Sequence, residues 1–178
     1  MTSAPKTQLT ALELVALGLV QQPAHAYELF QHFSPDLPLG MIWHLKQSHL
    51  YALLARLEQL GYLAATVEPQ GARPPRRVLR LTDAGRATLE AWLAAPVAHG
   101  RDMRQEFLAK LYFAAQRGPE AARALVARQE AATREWRADM QAQLDNAAQP
   151  YSRLVLRYRL GQIDAILTWL AECAATLV

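Results

Sequence analysis

Between Gln47 and Leu60 the apolar residues Leu50, Leu53, Leu54, Leu57 and Leu60 recur at spacings of three and four, one face of a 3.6-residue period. The pattern predicts a helix that buries its leucines and turns Gln47, His49, Tyr51, Arg56 and Gln59 outward. Ala52 and Ala55 lie between these, small enough to let a nucleic-acid groove approach the helix closely. Gly61 suits the end of that helix. Beyond it, Tyr62 to Val67 and Val78 to Leu81 are rich in aromatic and branched residues and predict two short strands. Pro69, Gly71, Pro74 and Pro75 separate them, so a hairpin is expected with its tip over Gln70 to Pro75.

Upstream, Thr10 and Glu13 have capping-box spacing ahead of Leu12, Val15, Ala16 and Leu19, which share one helical face. A first helix ending near Gln22-Pro23 follows from this. A second is predicted over His25 to Phe33, with Ala26, Leu29, Phe30 and Phe33 inward and Ser34-Pro35 as its stop. Pro35 to Met41 then reads as the turn into the leucine-striped helix. Three helices followed by a hairpin are the plan of a helix-turn-helix with a wing.

Downstream, Thr82 and Asp83 offer a cap for a helix from Ala84 to Ala94, and Pro96 to Gly100 reads as a junction. The remainder is helical: Asp102 to Gln116, a long helix opened by Pro119, an interruption at Ala148 to Pro150, and a final helix over Tyr151 to Ala175. In the final helix Leu156, Leu160, Ile163, Leu167, Leu170 and Ala174 alternate in steps of four and three, as in a coiled-coil seam; Leu125, Gln129, Ala132, Trp136 and Gln143 form a looser one before it. A lone hairpin of two such helices leaves apolar surface wet, which calls either for a second copy of the chain or for packing on the winged part. The fold class expected is mainly α: a winged helix-turn-helix DNA-binding domain over residues 1–95 with a small β-hairpin wing, then a helical dimerisation domain over residues 96–178.

Composition narrows the function. The chain is 52% hydrophobic and 20% charged, enough apolar residues for a core and too few charges for disorder. Its net charge is only +3, with 8 Lys and Arg against 7 Asp and Glu in residues 1–95 and 11 against 9 in the rest. Affinity for a polyanion therefore depends on where the charges sit. From Pro69 through Thr82 there are four arginines, Arg73, Arg76, Arg77 and Arg80, and no acid. Phosphate neutralisation is a physical reason for such a run, and a solvated turn is the alternative.

Cys173 is the sole cysteine, which excludes an intrachain disulfide and a cysteine zinc cluster; a packing role is its simplest reading. No long apolar run or signal-peptide pattern is present, so a cytoplasmic location without membrane contact is expected. The five histidines show no metal-ligand spacing, and no glycine-rich phosphate loop or nucleophile elbow occurs. Neither catalysis nor a cofactor is expected, and an enzyme remains the distant alternative.

Several blocks resemble the PadR-type transcriptional regulators: His25-Ala26-Tyr27-Glu28-Leu29, Gln47-Ser48-His49-Leu50-Tyr51, Leu53-Leu54-Ala55-Arg56-Leu57-Glu58, Gly71 to Val78, and Leu81-Thr82-Asp83-Ala84-Gly85. Gly100 to Arg104 and Glu106 to Phe113 are similar to the start of that family's helical dimerisation region. Two positions depart from the pattern: Ala26 stands where the family usually has glycine, and Ala52 where proline often follows the tyrosine. These concern the setting of the recognition helix and hence the operator sequence.

Two copies joined through the seam present two recognition helices about a two-fold axis, so a homodimeric repressor, with activation as the alternative, is expected on an inverted-repeat operator. The resemblance implies that it responds to a ligand. Gln47, Ser48, His49, Tyr51 and Arg56 are the candidate contacts to duplex DNA from the helix, Arg73, Arg76 and Arg77 those from the wing, with Arg80 paired inside the hairpin. The resemblance also implies a site for a small aromatic effector between the winged and helical parts, for which Trp43, Trp92, Tyr112, Trp136 and Tyr158 are candidates. Arg104, Arg157 and Arg159 are candidates for holding an acidic effector. A protein-interaction module that no longer touches DNA is the competing reading; it calls for an acidic or apolar recognition face.

Overall fold

Thr10 sets the first helix. In a computed structural model that describes residues 9–70 and 73–176, with side chains except at 69, 70 and 73–75, the Glu13 carboxylate accepts from the Thr10 amide at 2.7 Å. The Thr10 hydroxyl in turn accepts from the Glu13 amide at 3.3 Å, so the expected capping box is complete. Helix α1 (Ala11–Leu19) is followed by α2 (Ala26–Gln31), α3 (Pro38–Ile42), α4 (Gln47–Gln59), β1 (Leu63–Gln70), β2 (Arg73–Leu81) and α5 (Asp83–Ala94). A 3₁₀ turn (Gly100–Arg104), α6 (Glu106–Gln116), α7 (Pro119–Asn146) and α8 (Pro150–Thr176) complete the order. The chain divides into two units, Met1–Trp92 and Leu93–Val178.

In the first unit α4 packs against α1, α2 and β1. Leu50, Leu54 and Leu57 are buried, whereas Leu53 is half-buried and Leu60 exposed, so the inward stripe is narrower than five leucines. The helix ends as a Schellman motif: the Gly61 amide donates to Glu58 O and the Tyr62 amide to Leu57 O, each at 2.9 Å. That turn needs the positive φ of 77° found at Gly61.

Two expectations need correction here. Helix α2 is shorter than His25 to Phe33, and the segment Pro35 to Met41 is not only a turn, because α3 starts within it. Pro38 occupies the first helical position, where its fixed φ favours a helix and its missing N–H breaks no bond. One turn and a half is too short for periodicity to reveal.

The hairpin is antiparallel, with Leu63 opposite Leu81 and Glu68 opposite Arg76. Its strands reach Gln70 and Arg73, past the prolines that were expected to end them. Each strand of a two-stranded ribbon has an outer edge where an absent N–H costs no ladder bond, and the register shifts between Glu68 and Gln70. At the hairpin base Ala24 bridges Leu79, whose amide donates to Ala24 O at 2.9 Å. Thr82 caps α5, accepting from the Gly85 amide at 3.1 Å while its hydroxyl donates to Gly61 O at 2.7 Å.

In the second unit Asp102 to Arg104 belong to the 3₁₀ turn, and α6 begins only after Gln105, whose φ of −131° departs from helical geometry. This corrects the expected start at Asp102. The core gathers Val97, Met103, Phe107, Leu125, Val126, Leu170 and Cys173, with Trp136, Ile166 and Trp169 packed against it. Gln129 does more than fill a seam. Fully buried, its Oε1 accepts from the Val97 amide at 2.8 Å, so α7 holds the segment that follows α5. Burial, with Glu172 beside it, pushes the Cys173 thiol above its ordinary pKa, which leaves it protonated and unreactive at neutral pH. Of the α8 seam, Ile163 and Leu170 are buried, Leu156, Leu160 and Leu167 half-buried, and Ala174 exposed.

Lys110 is buried, donates to Ala95 O at 2.9 Å and pairs with Glu106 at 3.2 Å. Desolvation pulls its ammonium below the ordinary lysine value, against the raising influence of Glu106. The unfolded chain therefore holds this proton more firmly, and Lys110 makes stability rise with pH on the approach to 10.5. Lys110→Met removes the buried charge, and Glu106 and Ala95 both reach solvent. Its unfolding free energy in a urea titration is expected within about 1 kcal/mol of the original or above it; a loss of about 3 kcal/mol or more contradicts this reading.

Candidate nucleic-acid interface

The α4 start differs from those of α1 and α2. Those two carry Glu13 and Glu28 in their first turns, whereas α4 has no acid there and no side-chain cap on Lys46. Its positive end is left to meet an external anion. Gln47, Ser48 and His49 stand exposed on this turn. One turn on, Tyr51 is 42% exposed and its hydroxyl accepts from Gln47 Nε2 at 3.3 Å, which joins two expected contacts into one polar unit. Ala52 and Ala55 are exposed beside them, as the pattern requires.

Arg56 is placed differently. Its guanidinium is ion-paired with Glu13, a fully buried carboxylate that also accepts from the Thr10 amide and hydroxyl. The arginine is 43% exposed, so it joins α4 to α1 while one side faces solvent. Arg56→Ala leaves a buried carboxylate without its cation. A loss of about 2 to 3 kcal/mol is expected by thermal or chemical unfolding, below the full buried-pair value because Arg56 is half in water. In a Glu13→Gln background the same change should cost clearly less, and equal costs in both backgrounds refute the assignment.

The wing arginines are also less alike than the sequence suggests. Arg77 pairs with Glu58 of α4, and Arg80 lies 3.1 Å from Glu68 across the hairpin. Both acids lie outside the stretch Pro69 to Thr82, so the run's charge is partly compensated. Arg76 is exposed and, among the described residues, has no carboxylate partner. Arg73 begins β2, and its side chain lies outside the described residues. The Arg77 carbonyl accepts from His25 Nδ1 at 3.0 Å, tying the wing to the start of α2.

Helices α2 and α4 and strand β2 enclose a groove of about 490 Å³, floored by Leu54, Ala55 and Leu79 and rimmed by Tyr27, Tyr51 and Arg76. Tyr27, 61% exposed, was not among the sequence candidates. Its place next to the Glu28 of the α2 capping box was the available signal, since it puts the ring on the first, outward turn.

The aromatic candidates fall in both units. Trp43 caps α3 half-buried and Trp92 is buried in α5, both in the first unit. In the second, Tyr112 is half-buried with its ring 5.1 Å from Phe113, Trp136 packs against the core, and Tyr158 is exposed. Among the described residues no group of three or more His, Cys, Asp or Glu is placed to hold a metal, and no helix is long and apolar enough to cross a membrane.

Residues 15–91 match the Transcriptional regulator PadR-like family, and residues 103–178 match the Virulence activator alpha C-terminal region. A probable transcriptional regulator of Mycobacterium tuberculosis is 31% identical over 90 residues, covering 51% of this chain and 47% of that one. The negative transcriptional regulator PadR of Bacillus subtilis is 27% identical over 106 residues, 59% of this chain and 57% of that one. The chain thus spans about half the length of these curated relatives. A crystal structure of Bacillus subtilis PadR with operator DNA is similar at a TM-score of 0.47 and 23% identity, over 96% of this chain and 99% of that one. The matched family and both relatives are described as transcriptional regulators. Residues 15–91 thus carry a domain of the PadR-like family of transcriptional regulators.

Proposed function

We propose that this chain is a cytoplasmic, homodimeric repressor that binds an inverted-repeat operator and releases it on binding a small molecule. The observation that carries the reading is the α4 face: an uncapped, acid-free helix start with Gln47, Ser48, His49 and Tyr51 exposed, beside a wing that presents Arg76, all within the family-matched segment. Ser48 and Tyr51 serve phosphates, and Gln47 or His49 base edges. Arg73, Arg76 and Arg77 hold the backbone beside them, and Arg56 chiefly sets the angle of α4.

Repression is supported by the negative regulator among the relatives. Dimerisation is supported by apolar surface on α8, where Tyr151, Leu154 and Tyr158 are 78%, 64% and 69% exposed. Two copies related by a two-fold axis read half-sites about one helical turn apart, on the order of 34 Å. A ligand that prefers one dimer geometry then shifts the population away from the DNA-competent spacing.

Selection of bound duplexes from a random pool tests the reading. Recovery of an inverted repeat with that spacing supports it; a stable monomer in sedimentation with no preferred duplex rejects it. An acidic or apolar α4 face would have favoured the protein-interaction alternative, and the face is neither.

A further inference from the structure

In the second unit a groove of about 590 Å³ lies along α8, floored by Met103, Met140, Ile163 and Ile166. Arg101, Arg104 and Arg159 line it, and no acidic residue does. It adjoins an apolar recess of about 260 Å³ that shares Met103, Arg104, Ala165 and Ile166 and adds Leu108 and Trp169. The Trp169 ring is held edge-on to Phe107 at 5.9 Å, so the recess has a fixed flat wall.

The neighbouring carboxylates are already engaged. Asp102 lies 3.7 Å from Arg101, Glu106 pairs with Lys110 at 3.2 Å, and Asp164 with Arg137 at 2.6 Å. Arg104 and Arg159 have no carboxylate partner among the described residues. Two unpaired guanidiniums over an apolar floor define a ligand by charge: a monoanion leaves one of them uncompensated, whereas a dianion meets both. Planar guanidinium forks suit phosphoryl oxygens in particular. The volume lies in the range of small-molecule sites.

We infer that this groove binds an organic phosphate monoester with a flat apolar body, its phosphoryl oxygens on Arg104 and Arg159 and its body against Met103, Ile166 and Trp169. The inference gives the ligand-responsive part of the proposed function a site and a ligand class. Binding is measured without DNA, so its failure leaves the operator reading intact, and failure of the duplex selection leaves this inference intact.

The test is calorimetric titration of the full chain with naphthyl phosphate, naphthoate, naphthalenemethanol and inorganic phosphate, above the second phosphate ionisation near about pH 6. Naphthyl phosphate should bind about tenfold or more tighter than naphthoate, and the neutral alcohol and bare phosphate weaker still. Arg104→Ala and Arg159→Ala should each weaken it by about tenfold or more. Both residues are exposed, so the variants should keep their circular dichroism spectrum and melting temperature. Ala165→Phe, at an exposed position lining both recesses, should weaken all three naphthyl ligands without changing charge. Equal binding of phosphate and alcohol, unchanged affinity in the arginine variants, or bare phosphate binding as well as the ester would each overturn the inference.

Discussion

Alanine at Arg73, Arg76 and Arg77 together is expected to weaken operator and non-specific duplexes alike and to lower the slope of log K against log salt by about 2 units. Each lost phosphate contact accounts for about 0.9 of that slope. The single variants should not contribute equally. Arg76 has no carboxylate partner among the described residues, so Arg76→Ala alone should remove close to one full contact. Arg77 is already paired with Glu58, so its release of counterions is smaller. Removing it has a second effect, because Glu58 on α4 then faces the approaching phosphates unscreened. Arg77→Ala should therefore lose affinity beyond its slope change, and adding Glu58→Gln should recover part of it. Anisotropy titrations between about 50 and 200 mM salt measure both quantities. An unchanged slope in the triple variant removes the wing from the interface.

Gly40→Ala is expected to destabilise the first unit strongly. A Cβ there would overlap the Ser34 carbonyl and lie 2.8 Å from Phe33 O, both backbone atoms that no side-chain rotation can move away. Separating α3 from the turn after α2 should lower stability by about 3 kcal/mol in chemical denaturation. Because the segment after α3 leads directly into α4, duplex affinity should fall in the fraction that still folds. Gly61→Ala is the comparison: nothing lies within 4 Å of its Cβ, and only the φ of 77° resists it. That substitution should cost about 1 to 2 kcal/mol. Equal losses at the two glycines would refute the close packing of α3.

Most helices were legible because their signals are local. The Thr10 and Glu13 cap, the leucine period before Gly61, and Pro119 opening α7 each act within one or two turns of chain. Helix α3 escaped notice because five residues carry no period. The wing was legible as a hairpin but drawn too short. Proline was read there as a strand breaker, while a two-stranded ribbon tolerates it at its edges.

The candidate interface divides in the same way. The exposed face of Gln47, Ser48, His49 and Tyr51 follows from helical spacing alone, and so does the burial of the leucines behind it. The roles of the arginines do not. Arg56 and its partner Glu13 lie 43 residues apart, and Arg77 and Glu58 lie 19 apart. No local pattern links such pairs.

By itself, then, the amino-acid order determined the succession of helices and hairpin and the outward face of α4, since periodicity, caps and turn residues act over a few positions. Tertiary structure alone decided which cations are already neutralised, that Gln129 and Lys110 hold the backbone at Val97 and Ala95, and that Arg104 and Arg159 share a groove. The reason is physical: charge compensation and burial depend on distance through space, and folding brings together groups that the chain keeps far apart.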